Sequence, residues 1–397
     1  MHAALKKLVQ TAEKPTRNII GLMSGTSLDG LDIAFCEIKS FGKQTQVVLK
    51  HFETVPYDDP FKNAVREVFS KKNIDLERLC LLHPWIGEKH AEMVLYCLKK
   101  WQIPSDAVDL IASHGQTVYH APKRLHQQID FPNATLQIGD GDHLAVKTGI
   151  TTLSDFRQKH LAAGGEGAPL AAYGDYLIFS DPNVSRILIN IGGIANFTFL
   201  PKNASFQDVF CTDTGPGNTL MDAYVQKHVP NLSCDKDAAI AATGKINPLL
   251  LQALKKNPFF RQNFPKTIGP ELFNLAYLEK AQAQSGTSKL PIADVLATLN
   301  RFSAETLAEA ISQSMNDTNF EMYVSGGGIY NPLLLKHLQD IFAKRNLQTT
   351  AALGIHPDAK EAVLFAVLAN ECICNPGNEV KRGHTPDIRM GKISFPT

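Results

Sequence analysis

The feature that most restricts the fold of this 397-residue chain is a unit that occurs twice, about half a chain apart. Residues 18–23 form a short apolar run, residues 24–30 (Ser-Gly-Thr-Ser-Leu-Asp-Gly) a glycine-bearing loop, and residues 31–38 alternate apolar with small or charged side chains. That succession predicts strand, loop and second strand. Residues 186–191 repeat it as an apolar strand, Gly192-Gly-Ile-Ala-Asn196 as the loop, and residues 197–200 as the start of a returning strand. A third glycine cluster, Ser325-Gly-Gly-Gly328, follows the run at 322–324 and precedes a helix-like stretch at 332–342. The pattern suggests duplicated α/β domains facing one nucleotide.

Helical periodicity lies between these units, at 60–70, at 76–82 and at 86–101 with Ile86, His90, Met93, Val94, Cys97 and Leu98 on one face. Residues 108–113 read as a buried strand ending in His114-Gly-Gln-Thr117. At roughly 100–200 residues per domain the length corresponds to two domains. No low-complexity linker marks the division, which is expected near residues 140–150. With 40 Lys+Arg against 39 Asp+Glu there is no large net field to draw in a polyanion, which argues against nucleic acid as partner. The seven cysteines form no paired framework, and the C-x-C of Cys372 and Cys374 lacks a second pair, so neither disulfides nor structural zinc are expected. Residues 1–18 carry Lys6, Lys7, Lys14 and Arg17 but no signal-peptide core, and read as a flexible start. No run approaches the roughly 18–20 apolar residues of a membrane span. A reducing cytoplasm is the consistent compartment.

A phosphate chain needs several backbone N–H groups turned toward it, and residues without bulky side chains let the backbone approach closely enough. Ser24-Gly-Thr-Ser27 offers this together with three hydroxyls, and Asp29 and Asp32 follow as carboxylates suited to a magnesium ion's water shell. The other reading is a tight Asp29-Gly30 hairpin turn without a ligand, and the same two readings are open for Gly192-Gly193. Neither the P-loop nor the Rossmann fingerprint is present, so any ATP site uses another cradle. His114, Gln116 and Thr117 at a strand end are either ligand contacts or satisfy local backbone groups. Asp155 and Arg157 follow another short strand, either with Asp155 as a catalytic carboxylate or as a structural ion pair or helix cap. Asn218, in Asp213-Thr-Gly-Pro-Gly-Asn218, reads as the cap of the next helix. The thirteen histidines, His51, His83, His90 and His160 among them, show no metal spacing and read as packing or surface residues.

Six segments taken together, 21–30, 113–117, 154–157 with Gly164–Pro169, 191–196, 213–218 and 325–328, resemble the anhydro-N-acetylmuramic acid kinase family and stand in that family's order. The resemblance runs from about Asn18 to Ala369, and Glu166 stands where the family is expected to have Gln. It implies a two-domain, actin-like ATPase (ribonuclease H-like) fold with ATP in the interdomain cleft. The domains would be 18–140 with about 367–397, and 141–366, after an extension of residues 1–17. It further implies that Ser24, Gly25, Thr26 and Ser27 hold the terminal phosphate, with Gly30 beside them. Gly192, Gly193 and Asn196 would hold the inner phosphates, Gly326, Gly327 and Gly328 the adenosine side, and Asp29 a magnesium ion through water. The substrate implied is 1,6-anhydro-N-acetylmuramic acid, whose O6 is tied to C1, so no free hydroxyl is available to attack ATP. Asp155 would then be the base that activates water at C1. His114, Gly115, Gln116, Thr117, Arg157 and Glu361 would bind the sugar. The product would be N-acetylmuramic acid 6-phosphate, in peptidoglycan recycling by a cytoplasmic homodimer. A kinase of another anhydro sugar such as levoglucosan, and an actin-like or chaperone-like ATPase switch, are the alternatives.

Overall fold

Apolar side chains on both faces of the first predicted strand place it inside a sheet covered on two sides. In the computed structural model, which describes residues 2–167, 170–269, 272–315, 319–376 and 389–396, that segment is β1 (Thr16–Ser24), with Ile19, Ile20 and Leu22 fully buried. It runs antiparallel to β2 (Gly30–Lys39), which runs antiparallel to β3 (Gln46–Pro56). On its other side β1 is parallel to β4 (Leu110–Ala121), and β4 is parallel to β6 (Thr152–Ser154). The hairpin strand β5 (Ala134–Ile138) pairs with β4, and β12 (Lys392–Ser394) closes the edge beyond β6.

A second sheet contains β7 (Ser185–Ile191), β8 (Ile194–Leu200), β9 (Phe210–Pro216), β10 (Phe320–Ser325) and β11 (Leu347–Thr349). Here β7, β8 and β9 form an antiparallel meander, and β10 and β11 continue in parallel from β7. The order β11-β10-β7-β8-β9 repeats β6-β4-β1-β2-β3 strand for strand. This is an α/β, ribonuclease H-like arrangement present twice, as expected of an actin-like ATPase.

The chain divides into two compact units: Met1–Ile178 with Ser205–Gln207 and Ala359–Thr397, and Phe179–Ala204 with Asp208–Asp358. The division therefore falls later than the expected 140–150, and the return to the first unit begins at 359 rather than about 367. Packing explains the difference. The helix Gly141–Thr148 is tied to the helix Leu76–Trp101 by Lys147, whose Nζ lies 2.7 Å from Glu92, and β6 extends the first sheet. Buried Asp175, in the helix Ala171–Phe179, pairs at 2.8 Å with Lys360 at the start of the helix Lys360–Cys374.

The start of the chain is likewise built in. Residues Ala3–Glu13 are helical, and Arg17 donates from Nε to Asn370 at 2.6 Å and from Nη2 to the Ser40 carbonyl at 3.1 Å. The stretches 76–82 and 86–101 are one helix, with Pro84 inside it.

The helix Lys360–Cys374, buried along most of its length, lies against β1 at Gly21, where a Cβ would stand 1.8 Å from the Ala362 carbonyl oxygen. Gly21→Ala is therefore expected to lower stability by at least about 1–3 kcal/mol through forced backbone displacement. Chemical denaturation reads this directly, and an unchanged midpoint would contradict the close approach.

Candidate active site

Parallel pairing brings three sequence-predicted segments to one end of the first sheet. Ser24 is opposite Gln116 across β1 and β4, and Ser113 is opposite Ser154 across β4 and β6. The hairpin after Ser24 and Asp155 thus emerge at the carboxyl ends of β1 and β6, side by side with the His114–Gln116 stretch where the parallel pairing of β4 stops, a place where α/β sheets gather ligand contacts. His114–Thr117 is not the end of its strand. β4 continues to Ala121 because β5 pairs with it there, and Gly115, with φ +72°, bends the strand where a Cβ would meet the Ile138 carbonyl oxygen at 2.6 Å.

The loop from Ser24 to Gly30 closes through a hydrogen bond from the Leu28 amide to the Gly25 carbonyl at 3.4 Å. Leu28 takes the positive φ (60°) and buries its side chain, while Thr26, Ser27 and Asp29 are exposed. Asp29-Gly30 is thus not the turn. Gly30 is required by β3, since a Cβ there would lie 2.5 Å from the Val55 carbonyl oxygen. A Cβ on Gly25 would face open space, with Ser27 Oγ the nearest atom at 3.6 Å. Ser24 is only 1% exposed, and its hydroxyl points inward to Tyr57 at 2.7 Å and Gln116 at 2.5 Å.

Asp155 joins β6 to the helix Phe156–Ala162 in a left-handed conformation (φ 54°, ψ 46°), with no side-chain cap bond. Its Oδ2 lies 2.5 Å from Lys392 Nζ. Lys392 is opposite Ser154 in β12, and no motif marks it in the sequence. Arg157 does not pair with Asp155. Its Nε donates to His114 Nε2 at 3.0 Å and its Nη1 to the Gly167 carbonyl at 2.6 Å. Burial, aided by the Arg157 charge, pushes His114 down to about 3, so the ring is neutral. With Nε2 accepting, the proton sits on Nδ1, which is buried beside the Gly115 backbone. Glu361 reaches solvent, yet desolvation by surrounding protein raises its carboxyl above the ordinary range against the lowering pull of Lys360 and Arg157. In the 164–169 segment, Gly167 donates its amide to His160 Nδ1 at 2.9 Å, giving that histidine a structural task; Ala168 and Pro169 lie outside the described residues.

In the second unit the Gly192–Gly193 hairpin meets the start of the helix Thr219–His228. The amides of Asn218 and Thr219 donate to the carbonyls of Gly192 and Gly193, at 2.9 and 3.2 Å. These bonds occupy early helix donors, and Asn218 stands at the cap position without a side-chain cap bond, contrary to the expected role. Asp222, in that helix's first turn, is pushed up to about 6 by burial. Gly326 (φ +81°) and Gly328 pack on the end of β7, where a Cβ would come within 2.6 Å of Asn190 and 2.3 Å of Ile191 respectively. Gly327 is more open, its nearest neighbour being Asn218 Nδ2 at 3.7 Å. Asn196 lies within β8, half-buried and opposite Asn190. Among the described residues no group of three or more His, Cys, Asp or Glu side chains is gathered to hold a metal ion.

Comparison with known proteins gives concordant results. The family model described as anhydro-N-acetylmuramic acid kinase matches residues 17–390. A Pseudoalteromonas atlantica protein named anhydro-N-acetylmuramic acid kinase is 55% identical, covering 100% of both chains. One of the same name from Caldanaerobacter subterraneus is 36% identical over 98% of this chain and 100% of its own. Among solved structures, the activator of the 2-hydroxyisocaproyl-CoA dehydratase from Clostridium difficile, with bound ADPNP, has a TM-score of 0.43 at 12% identity, covering 90% of this chain and 95% of that one. The fold assignment rests instead on the two matching strand orders. With a family match spanning nearly the whole length and full-length relatives at this identity, the chain belongs to the anhydro-N-acetylmuramic acid kinase family.

Proposed function

We propose that this enzyme opens 1,6-anhydro-N-acetylmuramic acid with water and phosphorylates O6 from ATP, with Asp155 as the general base. The observation that carries the reading is the register that brings Asp155, the His114–Gln116 stretch and the 24–29 hairpin to one sheet end. Asp155 takes a proton from water, the water oxygen bonds to C1, the C1–O6 bond breaks, and O6 accepts the γ-phosphoryl group as ADP leaves. The Lys392 ion pair occupies Oδ2, so Oδ1 receives the proton. His114 would meet the sugar with its ring neutral, and because its Nδ1 is sealed from solvent, donation to a sugar oxygen requires the stretch to open around it. Arg157 fixes that tautomer, and Thr117 and Glu361 complete the sugar contacts.

For ATP, the exposed hydroxyls of Thr26 and Ser27 and the backbone at Gly25 supply phosphate donors in the first unit, and the Gly192–Gly193 hairpin supplies them in the second. Gly327, the glycine not explained by packing on β7, is the adenosine-side contact. Magnesium fits the donor set as a water-mediated ion. Asp29 is a single exposed carboxylate beside the hairpin, and Mg²⁺ keeps several waters while binding one or two carboxylates and phosphates. When bound it would neutralise charge on the phosphate oxygens.

The proposal includes a cytoplasmic homodimer. All seven cysteines are free thiols, and among the described residues no helix is long and apolar enough to cross a membrane.

The test measures ADP formation with 1,6-anhydro-N-acetylmuramic acid, with levoglucosan and with no sugar. The expected result is turnover with the first alone, with ¹⁸O from labelled water appearing at C1. Faster turnover of levoglucosan, or sugar-independent ATP hydrolysis, would reject it.

A further inference from the structure

Beneath the 24–29 hairpin lies a run of polar side chains sealed from solvent. Tyr57 is 3% exposed, Ser24 1%, and His90 and Gln116 0%. Their bonds link end to end: His90 Nε2 to Tyr57 OH at 3.0 Å, Tyr57 OH to Ser24 Oγ at 2.7 Å, and Ser24 Oγ to Gln116 Oε1 at 2.5 Å. Gln116 Nε2 then reaches the carbonyls of Gly25 and Thr117, at 3.4 and 3.3 Å.

The direction of every proton follows from the donor inventory. Two carbonyls face one end of the Gln116 amide, so that end is the nitrogen and its oxygen faces Ser24. A carbonyl oxygen carries no proton, so Ser24 donates to it. The Ser24 hydroxyl has one proton, so Tyr57 donates to Ser24. Tyr57 also has one, so His90 must donate from Nε2. Burial holds His90 neutral, down to about 4, and its Nδ1 has no hydrogen-bond partner, which suits a bare lone pair there. All bonds therefore run one way, from His90 to Gly25. Chains of this kind polarise each other and are strengthened together.

Two consequences follow. Ser24 has no proton left for an anion, although the family resemblance implied it as a phosphate ligand. Tyr57 also grips the other end of the hairpin, its amide donating to the Asp29 carbonyl at 3.1 Å.

We propose that Tyr57 and Gln116, joined through Ser24 and backed by His90, are positioning residues that hold the 24–29 hairpin in its ATP-binding shape, and that Ser24 is a link in this chain rather than a phosphate ligand. The inference rests on the reading of that hairpin as a phosphate loop.

Tyr57→Phe removes one oxygen and keeps the ring stacked on Phe61, with centroids 3.9 Å apart. It is expected to raise the KM for ATP about tenfold, the worth of one buried hydrogen bond, with kcat within about threefold of wild type and the sugar KM unchanged. A merely structural role would lower the melting temperature and leave the ATP KM of the folded enzyme where it was, which would overturn the proposal. Ser24→Ala and the Ser24→Ala/Tyr57→Phe double variant supply the second readout. Links of one chain are non-additive, so the double is expected to match the worse single. Effects that multiply would put Ser24 on the phosphate and overturn the proposal. Gly25→Val separates the two levels. If it blocks ATP binding while Tyr57→Phe changes nothing, the positioning claim alone falls. If neither matters in folded protein, the phosphate-loop reading falls, and this inference with it.

Discussion

Asp155→Asn is expected to lose about 10²–10⁴ in turnover, the usual worth of a positioned general base, while binding ATP as wild type does. The amide is nearly isosteric with the carboxylate but accepts no proton, so the attack of water on C1 loses its base and the backbone need not move. Among the described residues the side-chain partner of Asp155 is Lys392, an exposed lysine, so the lost ion pair has little effect on stability. Single-turnover measurement with saturating ATP and sugar isolates the chemical step. Near-normal turnover in a variant that still binds ATP would remove Asp155 from the mechanism.

Gly25→Val is expected to weaken ATP binding by at least about a hundredfold, because close approach of phosphate to a backbone amide tolerates no branched side chain. The structure makes the experiment clean. A Cβ at this position meets no atom closer than 3.6 Å, and Gly25 is not among the glycines with positive φ, so valine costs the fold little. Calorimetry should show lost nucleotide binding with an unchanged melting temperature. A folded variant that binds ATP normally would show that the hairpin is not the cradle. The same substitution at Gly30 would be uninformative, since the Val55 carbonyl oxygen already lies 2.5 Å from where its Cβ would stand.

The two strand–loop–strand units were legible because hydrophobic alternation and glycine punctuation are local. The six short segments carried the family and, through it, the function. What was not legible depends on partners distant in sequence. Nothing local announces that β5 would pair with Gln116–Ala121 and turn a supposed strand end into mid-strand, or that three residues at 392–394 would bring a lysine to Asp155. Ser24 shows the same limit. Its hydroxyl suits a phosphate by type, but whether it faces ligand or core depends on Tyr57 and Gln116, 33 and 92 positions away. His90 sat correctly on the apolar face of its helix, yet its bond to Tyr57 could not be read from spacing. Helix capping at Asn218 failed because its backbone takes helical dihedrals (φ −89°, ψ −19°) rather than the extended ones that aim a capping side chain at the next amides.

The buried Asp175–Lys360 pair and the closing strand β12 also bear on biosynthesis. A nascent chain emerging from the ribosome presents β1 to β6 early, but the helix that covers β1 is made only after the whole second unit. The second unit can therefore mature first, while the earlier-made sheet waits with an uncovered apolar face, in need of protection until the helix Lys360–Cys374 has been made.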